Sequence, residues 1–255
     1  MLPAERHSRI SEALRTSRVV STEDLARELA VSAETIRRDL VLLERQGKLA
    51  RVHGGATIAL GRPAGEEAPF AERSVTAAEA KRHIGHAAAA LTRPGQTIVI
   101  DVGTTAVEVA RALPMDFSGT VATCSLLVAA ELAERPGVEI LVCGGRLRKG
   151  DLALSGPVAQ AFFDDLNPDL AFLGSGGVDA AAGLTDYYLD EIAVRRIILR
   201  NAARSYVLAD SGKFGRIARH RVAGVEEFTG LITEAEPPPS VRDAVTRAGG
   251  VIVLP

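Results

Sequence analysis

The sequence predicts an α/β protein in two parts: a small N-terminal winged helix-turn-helix domain, then a mostly parallel α/β domain. Three observations predict it. Two serine-headed helical patterns lie almost back to back between Val20 and Asp39, and a glycine-paired hairpin pattern follows them. From Thr76 onward, short β-branched runs alternate with helical stretches, the signature of a parallel sheet covered on both faces.

The first helix is expected from about Ala4 to Arg15, with Ile10, Ala13 and Leu14 inward. Ser21 then precedes T-E-D-L-A-R-E-L and Ser32 precedes A-E-T-I-R-R-D-L. A serine oxygen in that position accepts from the free N–H groups of a new first turn. Asp24, three residues after Ser21, approximates a capping box. Only Ala30-Val31 separates the patterns, so a tight turn joins two helices and the second is placed to enter a DNA major groove. In that helix Ile36, Leu40 and Leu43 form one apolar stripe. The phasing turns Thr35, Arg37 and Arg38 outward, beside Glu34. Arginine suits phosphates and guanine edges; threonine suits phosphates and the thymine methyl. These helices alone fit equally an αα-hairpin with solvated arginines.

The segment after them tips the balance. Gly47 is a helix stop, and in K-L-A-R-V-H-G-G-A-T-I the apolar Leu49, Val52 and Ile58 flank Gly54-Gly55. That pair tolerates positive φ and favours a tight hairpin. A hairpin carrying Arg51 and His53 after three helices is a wing able to rest on phosphates or in the minor groove. For His53, a strand-edge position is the plain alternative.

The 255 residues, 47% hydrophobic and 24% charged, suit a globular protein with a sizeable core. The net charge of −2 gives no global attraction to nucleic acid, but residues 1–58 carry ten Lys+Arg against eight Asp+Glu, hence +2. The remainder, twenty against twenty-four, is −4, which permits a DNA-binding head without proving one. The amino-terminal stretch lacks the apolar run of a signal peptide and no stretch is long enough to span a bilayer, so a cytoplasmic protein with no membrane partner is expected. Two cysteines, Cys124 and Cys143, make neither a disulfide framework nor a zinc cluster. No metal and no cofactor is expected.

These patterns set the domain bounds: 1–58 for the head (motif 20–39), 59–73 for a Pro- and Gly-rich linker whose Phe70 anchors its far end, and 74–255 for the α/β domain. There, strands are expected at 97–101, 120–123, 138–143, 170–173, 206–209, 231–233 and 251–253. Helices are expected at 77–91, 107–113, 126–133, 158–163, 190–203 and 241–248. Ligands of such sheets bind beyond the carboxyl ends of the strands, which places five loops in view: 101–105, 123–125, 144–146, 174–179 and 210–213. Their chemistry suits anion capture. Gly103 admits a phosphate to the backbone, Thr104 and Thr105 add hydroxyls, and a helix follows. Arg146 and Lys213 supply full charges; Asp101 and Asp179 accept from sugar hydroxyls. Each loop read singly is equally an ordinary βα turn.

The run from Val31 to Ala56, V-S-A-E-T-I-R-R-D-L-V-L-L-E-R-Q-G-K-L-A-R-V-H-G-G-A, resembles the head of the DeoR-type bacterial transcription regulators. The resemblance extends over almost the whole chain through D-V-G-T-T, T-C-S-L, G-G-R-L-R, L-A-L-S-G-P, A-F-L-G-S-G-G-V-D, G-L-T and A-D-S-G-K-F-G. It implies a recognition helix over E-T-I-R-R-D-L, a wing at R-x-H-G-G-A, and a sensor domain similar in fold to ribose-5-phosphate isomerase. It further implies double-stranded operator DNA and a phosphorylated sugar or related metabolite as partners. The DNA-contacting set is then Ser21, Ser32, Glu34, Thr35, Arg37 and Arg38, with Arg51 and His53 on the wing. The effector phosphate falls at Gly103, Thr104, Thr105 and Ser125. Asp101, Gly144, Gly145, Arg146, Gly176, Asp179, Glu191 and Lys213 complete the implied pocket. A homodimer or larger homo-oligomer follows, since an operator repeat needs paired heads.

Three departures stand out. Cys124 replaces the family's usual Asn in T-N-S; it is read as a redox sensor or, more simply, a small apolar filler. Glu191-Ile-Ala-Val-Arg195-Arg196 has an arginine where the family writes lysine. G-L-T-D-Y-Y-L-D (183–190) is unusually aromatic, so Tyr187 and Tyr188 either shape the pocket mouth or pack on a neighbouring subunit. Two functions remain: a repressor of a carbohydrate-metabolism operon with no turnover, or a sugar-phosphate isomerase-like enzyme with an appended DNA-binding head. The head has no use in an isomerase, which favours the first.

Overall fold

A computed structural model of the chain describes residues 3–17, 19–45, 49–52, 54–58 and 67–255. It divides into two compact units, Met1–Glu66 and Glu67–Pro255.

The first unit runs α1 (Pro3–Ser17), β1 (Val19–Ser21), α2 (Thr22–Glu28), α3 (Ala33–Arg45), β2 (Leu49–Val52) and β3 (Gly55–Ile58). Ile10 and Leu14 of α1, Leu25 of α2, the Ile36-Leu40-Leu43 stripe of α3 and Leu49 of β2 close one apolar core. The β2–β3 hairpin is the wing, in register Val52 to Gly55 and Leu49 to Ile58. Val19–Ser21, a mere lead-in by sequence, is an antiparallel strand on the outer side of β3. That pairing revises the reading of the glycine pair. Gly54 carries the positive φ of the turn, at +82°, but Gly55 lies in the strand, where a Cβ would sit 2.0 Å from the Val20 carbonyl oxygen. Backbone, not a yielding side chain, is the obstacle. Gly55→Ala is therefore expected to destabilise the first unit by about 1–3 kcal/mol, read as a lower melting temperature of that unit. Gly47 and His53 lie outside the described residues.

The second unit opens with α4 (Phe70–Val75) and α5 (Ala78–Ala89). Part of the segment expected as linker, from Glu67 to Arg73, thus belongs to this unit, and Phe70 packs against its core. There follow β4 (Thr97–Ile100), α6 (Thr104–Ala112), β5 (Gly119–Thr123), α7 (Leu126–Leu132) and β6 (Val138–Val142). A small hairpin, β7 (Arg146–Arg148) and β8 (Ala153–Ser155), leads to α8 (Pro157–Asp164) and β9 (Leu170–Leu173). After β10 (Gly177–Asp179), β11 (Gly183–Asp186) and α9 (Leu189–Asn201), the chain continues through β12 (Arg204–Leu208) and β13 (His220–Ala223). It ends with β14 (Gly230–Ile232), α10 (Pro239–Arg247) and β15 (Val251–Val253).

Seven strands form one sheet in the order β15-β14-β12-β9-β4-β5-β6, every pair parallel. Alternate side chains serve opposite faces. Ile98, Ile100, Leu170 and Phe172 pack with α5, α6 and α7. Val99, Ala171 and Leu173 pack with α8 and α9. The chain lays down β4, β5 and β6 outward in one direction, then returns to the other side of β4 with β9. The switch in strand order therefore falls between β4 and β9; in open α/β sheets the ligand crevice lies beyond the carboxyl ends of the strands at such a point.

Candidate functional site

In the first unit, the serines cap as their spacing predicts. Ser21 accepts from the Asp24 amide at 3.0 Å and Ser32 from the Thr35 amide at 3.1 Å. Asp24 does not complete a capping box; its carboxylate accepts from the Ser21 hydroxyl at 2.7 Å. With the apolar stripe of α3 buried, the Arg37 and Arg38 side chains remain 55% and 81% exposed. Glu34 lies 3.4 Å from Arg37 and 3.5 Å from Arg38. Exposed pairs of this kind are worth little, so both guanidiniums stay available to a partner. Thr35 is half-buried and shares a hydrogen bond with Ser32. Asp39, next to the arginines, faces the other way. It is buried and accepts from Arg6 and His7 of α1 at 3.0 and 2.9 Å. Burial alone would raise its carboxyl; the bonds from Arg6 and His7 outweigh that and hold it below the usual range. Asp39 thus fixes how α3 lies on α1. Arg51 lies on β2.

In the second unit the crevice gathers the ends of four adjacent strands, β12, β9, β4 and β5. After β4 comes Gly103, φ +114°, and then α6, which begins at Thr104 rather than Val107 as expected. The Thr104 and Thr105 hydroxyls make no hydrogen bond among the described residues, and the first N–H groups of α6 point outward. Beside Gly103 the nearest atom to a hypothetical Cβ is Arg73 Nη1, at 3.9 Å. Lys213 follows β12, half-buried; its amide donates to the Asp210 carbonyl at 2.8 Å, while its ammonium makes no hydrogen bond or ion pair among the described residues. Burial lowers its ammonium, against the pull of Asp210 and Glu67.

Asp101 behaves differently from expectation. It is buried, and one of its oxygens accepts from Arg195 Nε at 2.6 Å and from the Gly174 amide at 2.9 Å. Arg195 also donates to Asp186 at 2.6 Å. Glu191 accepts from Arg148 Nε at 2.5 Å; burial raises its carboxyl, against Arg195 and Arg148. Arg148 reaches Asp151 at 3.0 Å and stacks on the Tyr188 ring at 3.9 Å. Asp151 also accepts from Arg73, which pairs with Glu67 at 3.1 Å. A continuous chain of charges therefore crosses the crevice.

The remaining expected positions do other work in this conformation. Ser125 is fully buried and caps α7 through the Val128 amide. Asp179 accepts from the Ala181 and Ala182 amides, both at 2.9 Å, closing the β10–β11 turn. Cβ atoms at Gly145 and Gly176 would meet Ser155 O at 2.5 Å and the Tyr187 ring at 2.9 Å, so both are packing positions. Gly144 takes a positive φ in the turn beside it. Arg146 is exposed and paired with Asp190. Sequence reasoning misses Glu67, Arg73, Arg148, Asp151 and Asp186. The Arg-x-Arg of β7 and the arginine in the last turn of α4 are the available signals, and nothing in their spacing distinguishes them from solvated charges.

Glu67 gives the crevice a pH dependence. Burial raises its carboxyl from the ordinary 4.5 to about 7, with Arg73 opposing. The folded state then holds the proton more tightly than the unfolded one. Its contribution to stability is complete below pH 4.5 and is lost as pH rises through about 7. Lys81 donates to the Thr76 carbonyl at 2.7 Å, and burial lowers its ammonium from 10.5 to about 8. Its contribution has the opposite sign and a separate window, growing as pH rises from 8 to 10.5. Melting curves of wild type and Glu67→Gln are expected to diverge between pH 4.5 and 7, with the wild type alone losing stability.

A winged helix-turn-helix head and a parallel α/β body with a charged switch-point crevice define a two-part regulator: one part built to meet DNA, one to meet a small ligand. Residues 6–60 match the model of the DeoR-like helix-turn-helix domain and residues 76–235 that of the DeoR C terminal sensor domain. The chain belongs to the DeoR family of transcriptional regulators. It is 37% identical over 253 residues to the HTH-type transcriptional regulator GlpR of Haloferax volcanii, covering 99% of this chain and 98% of that one. It is 32% identical over 246 residues to the glycerol-3-phosphate regulon repressor of Escherichia coli K12, covering 96% of each. Among solved structures, ribose 5-phosphate isomerase A of Methanocaldococcus jannaschii aligns with 55% of this chain and 56% of its own, at 18% identity and TM-score 0.41. Among the described residues no helix is long and apolar enough to cross a membrane.

Proposed function

We propose that the protein is a sequence-specific repressor of a carbohydrate-metabolism operon, released from its operator by a phosphorylated sugar or polyol. The observation that carries the DNA half is the exposure of Arg37 and Arg38 on a helix whose opposite face is locked into the core. Thr35 and Glu34 border them, the capping Ser21 and Ser32 lie at helix starts where phosphates approach, and Arg51 and His53 serve the wing. The effector phosphate seats at Gly103, Thr104 and Thr105 on the first turn of α6, with Arg73 beside it and Lys213 as the uncommitted charge. Asp101, Ser125 and Glu191 support the pocket by position rather than by contact. Gly144, Gly145, Gly176, Arg146 and Asp179 shape its rim.

The isomerase alternative needs a carboxylate free to move a proton beside a sugar carbonyl. Asp101 and Glu191 are both bound to arginine, and Asp179 is committed to a turn. The working unit is a homodimer or larger, so that two heads span an operator repeat. A mobility-shift assay on the DNA upstream of the protein's own gene cluster tests the reading, with glycerol 3-phosphate, ribose 5-phosphate and hexose 6-phosphates added in turn. The expected result is a shifted complex that one of these phosphates dissolves without being converted. Retention of the complex under all of them, together with no thermal shift, would refute the effector half alone.

A further inference from the structure

The chain has only two cysteines, and the fold brings them into contact. Cys124 follows β5 and Cys143 follows β6, each one residue beyond the last registered pair, Thr123 and Val142. The Cys143 amide donates to the Thr123 carbonyl at 3.2 Å, so the ladder is still intact there. Residues opposite each other on neighbouring parallel strands point to the same face about 4.8 Å apart, within the range that a disulfide spans. The two sulfurs lie 3.5 Å apart, both buried against the apolar cluster under α8.

We propose that Cys124 and Cys143 are a modification site that closes to a reversible intramolecular disulfide when the protein meets a peroxide. The inference does not depend on the operator or effector reading. In the first step the Cys143 thiolate attacks the O–O bond and keeps one oxygen as a sulfenic acid; the other oxygen leaves as hydroxide and takes up a proton to become water. The Cys124 sulfur then attacks the sulfenic sulfur, forming the S–S bond and expelling the second oxygen as water. Two thiols give up two electrons and two protons, and one peroxide becomes two waters. The order of attack follows from the contact itself. The hydrogen bond between the thiols holds Cys143 below the ordinary thiol range, while the same bond and then burial push Cys124 above it. Closure brings the sulfurs to about 2.05 Å, drawing together the residues just before Ser125 and Gly144.

The full-length reduced protein is treated with one equivalent of hydrogen peroxide, unfolded, alkylated with iodoacetamide and digested. The expected product is a linked peptide pair containing Cys124 and Cys143, with both thiols lost in step and both recovered by dithiothreitol. Cys124→Ser is expected to leave Cys143 as a sulfenic acid that dimedone traps; Cys143→Ser is expected to leave Cys124 alkylatable. Two free thiols in the treated wild type would overturn the proposal, whatever the variants do. So would bonds between separate chains, or each sulfur oxidised singly to the sulfinic acid.

Discussion

Arg195→Met is expected to cost the second unit about 3–5 kcal/mol, the scale set by removing one partner of a buried ion cluster. Arg195 is 3% exposed and holds Asp101 at 2.6 Å and Asp186 at 2.6 Å, both themselves buried. Methionine fills much of the volume but leaves two carboxylates without their cation in the interior. Their remaining course is to take up protons or to draw in water, and either loosens the junction of β4, β9 and α9. Arg195→Lys keeps the charge and loses the forked geometry that reaches two carboxylates at once, so its loss is expected to be the smaller. Urea unfolding followed by far-ultraviolet circular dichroism measures both. A methionine variant as stable as the wild type would mean that the cluster contributes nothing to the fold.

The second large effect lies at the head. Replacing Arg37 or Arg38 by alanine is expected to weaken operator binding by about 1–3 kcal/mol each, roughly five- to 150-fold, if each contacts a base edge. A contact to phosphate alone would instead weaken all sequences alike and lower the salt dependence by about one charge. Titrations on operator and on scrambled DNA at two salt concentrations separate the two cases. Neither variant is expected to change the melting temperature, since both side chains are exposed and among the described residues they pair only with Glu34. Full operator affinity in both variants would show that α3 does not enter the groove.

The elements with strong periodicity are legible in the sequence. The Ile36-Leu40-Leu43 stripe, the capping serines and the seven short apolar runs of the large sheet need only local chemistry, and the alternation of strand and helix dictates a parallel sheet. The short strands are not legible. Val19–Ser21, β10, β11 and β13 are strands because a partner from elsewhere in the chain lies beside them, and three or four residues carry no period of their own. At the crevice, glycine and hydroxyl residues after β4 stand out because few side chains suit that turn. Asp101 is legible in its place but not in its partner, because the arginine that binds it comes from α9, ninety-four residues later in the chain. Arg73 reads as linker because nothing local to it reveals Asp151.

The chain of charges across the crevice has a consequence for how a ligand arrives. Asp101, Asp186, Glu191, Asp151 and Glu67 face Arg195, Arg148 and Arg73, with Lys213 and Lys81 close by. Five carboxylates against three arginines and two lysines leave the assembly near electroneutrality, so a phosphate dianion would add surplus negative charge. Glu67, whose proton affinity lies at about 7 and which already grips Arg73, is the group placed to respond. Taking up a proton there frees the guanidinium for the newcomer. On the proposed effector reading, phosphate binding at neutral pH is expected to be accompanied by hydrogen-ion uptake, measured as a binding heat that changes with the ionisation enthalpy of the buffer.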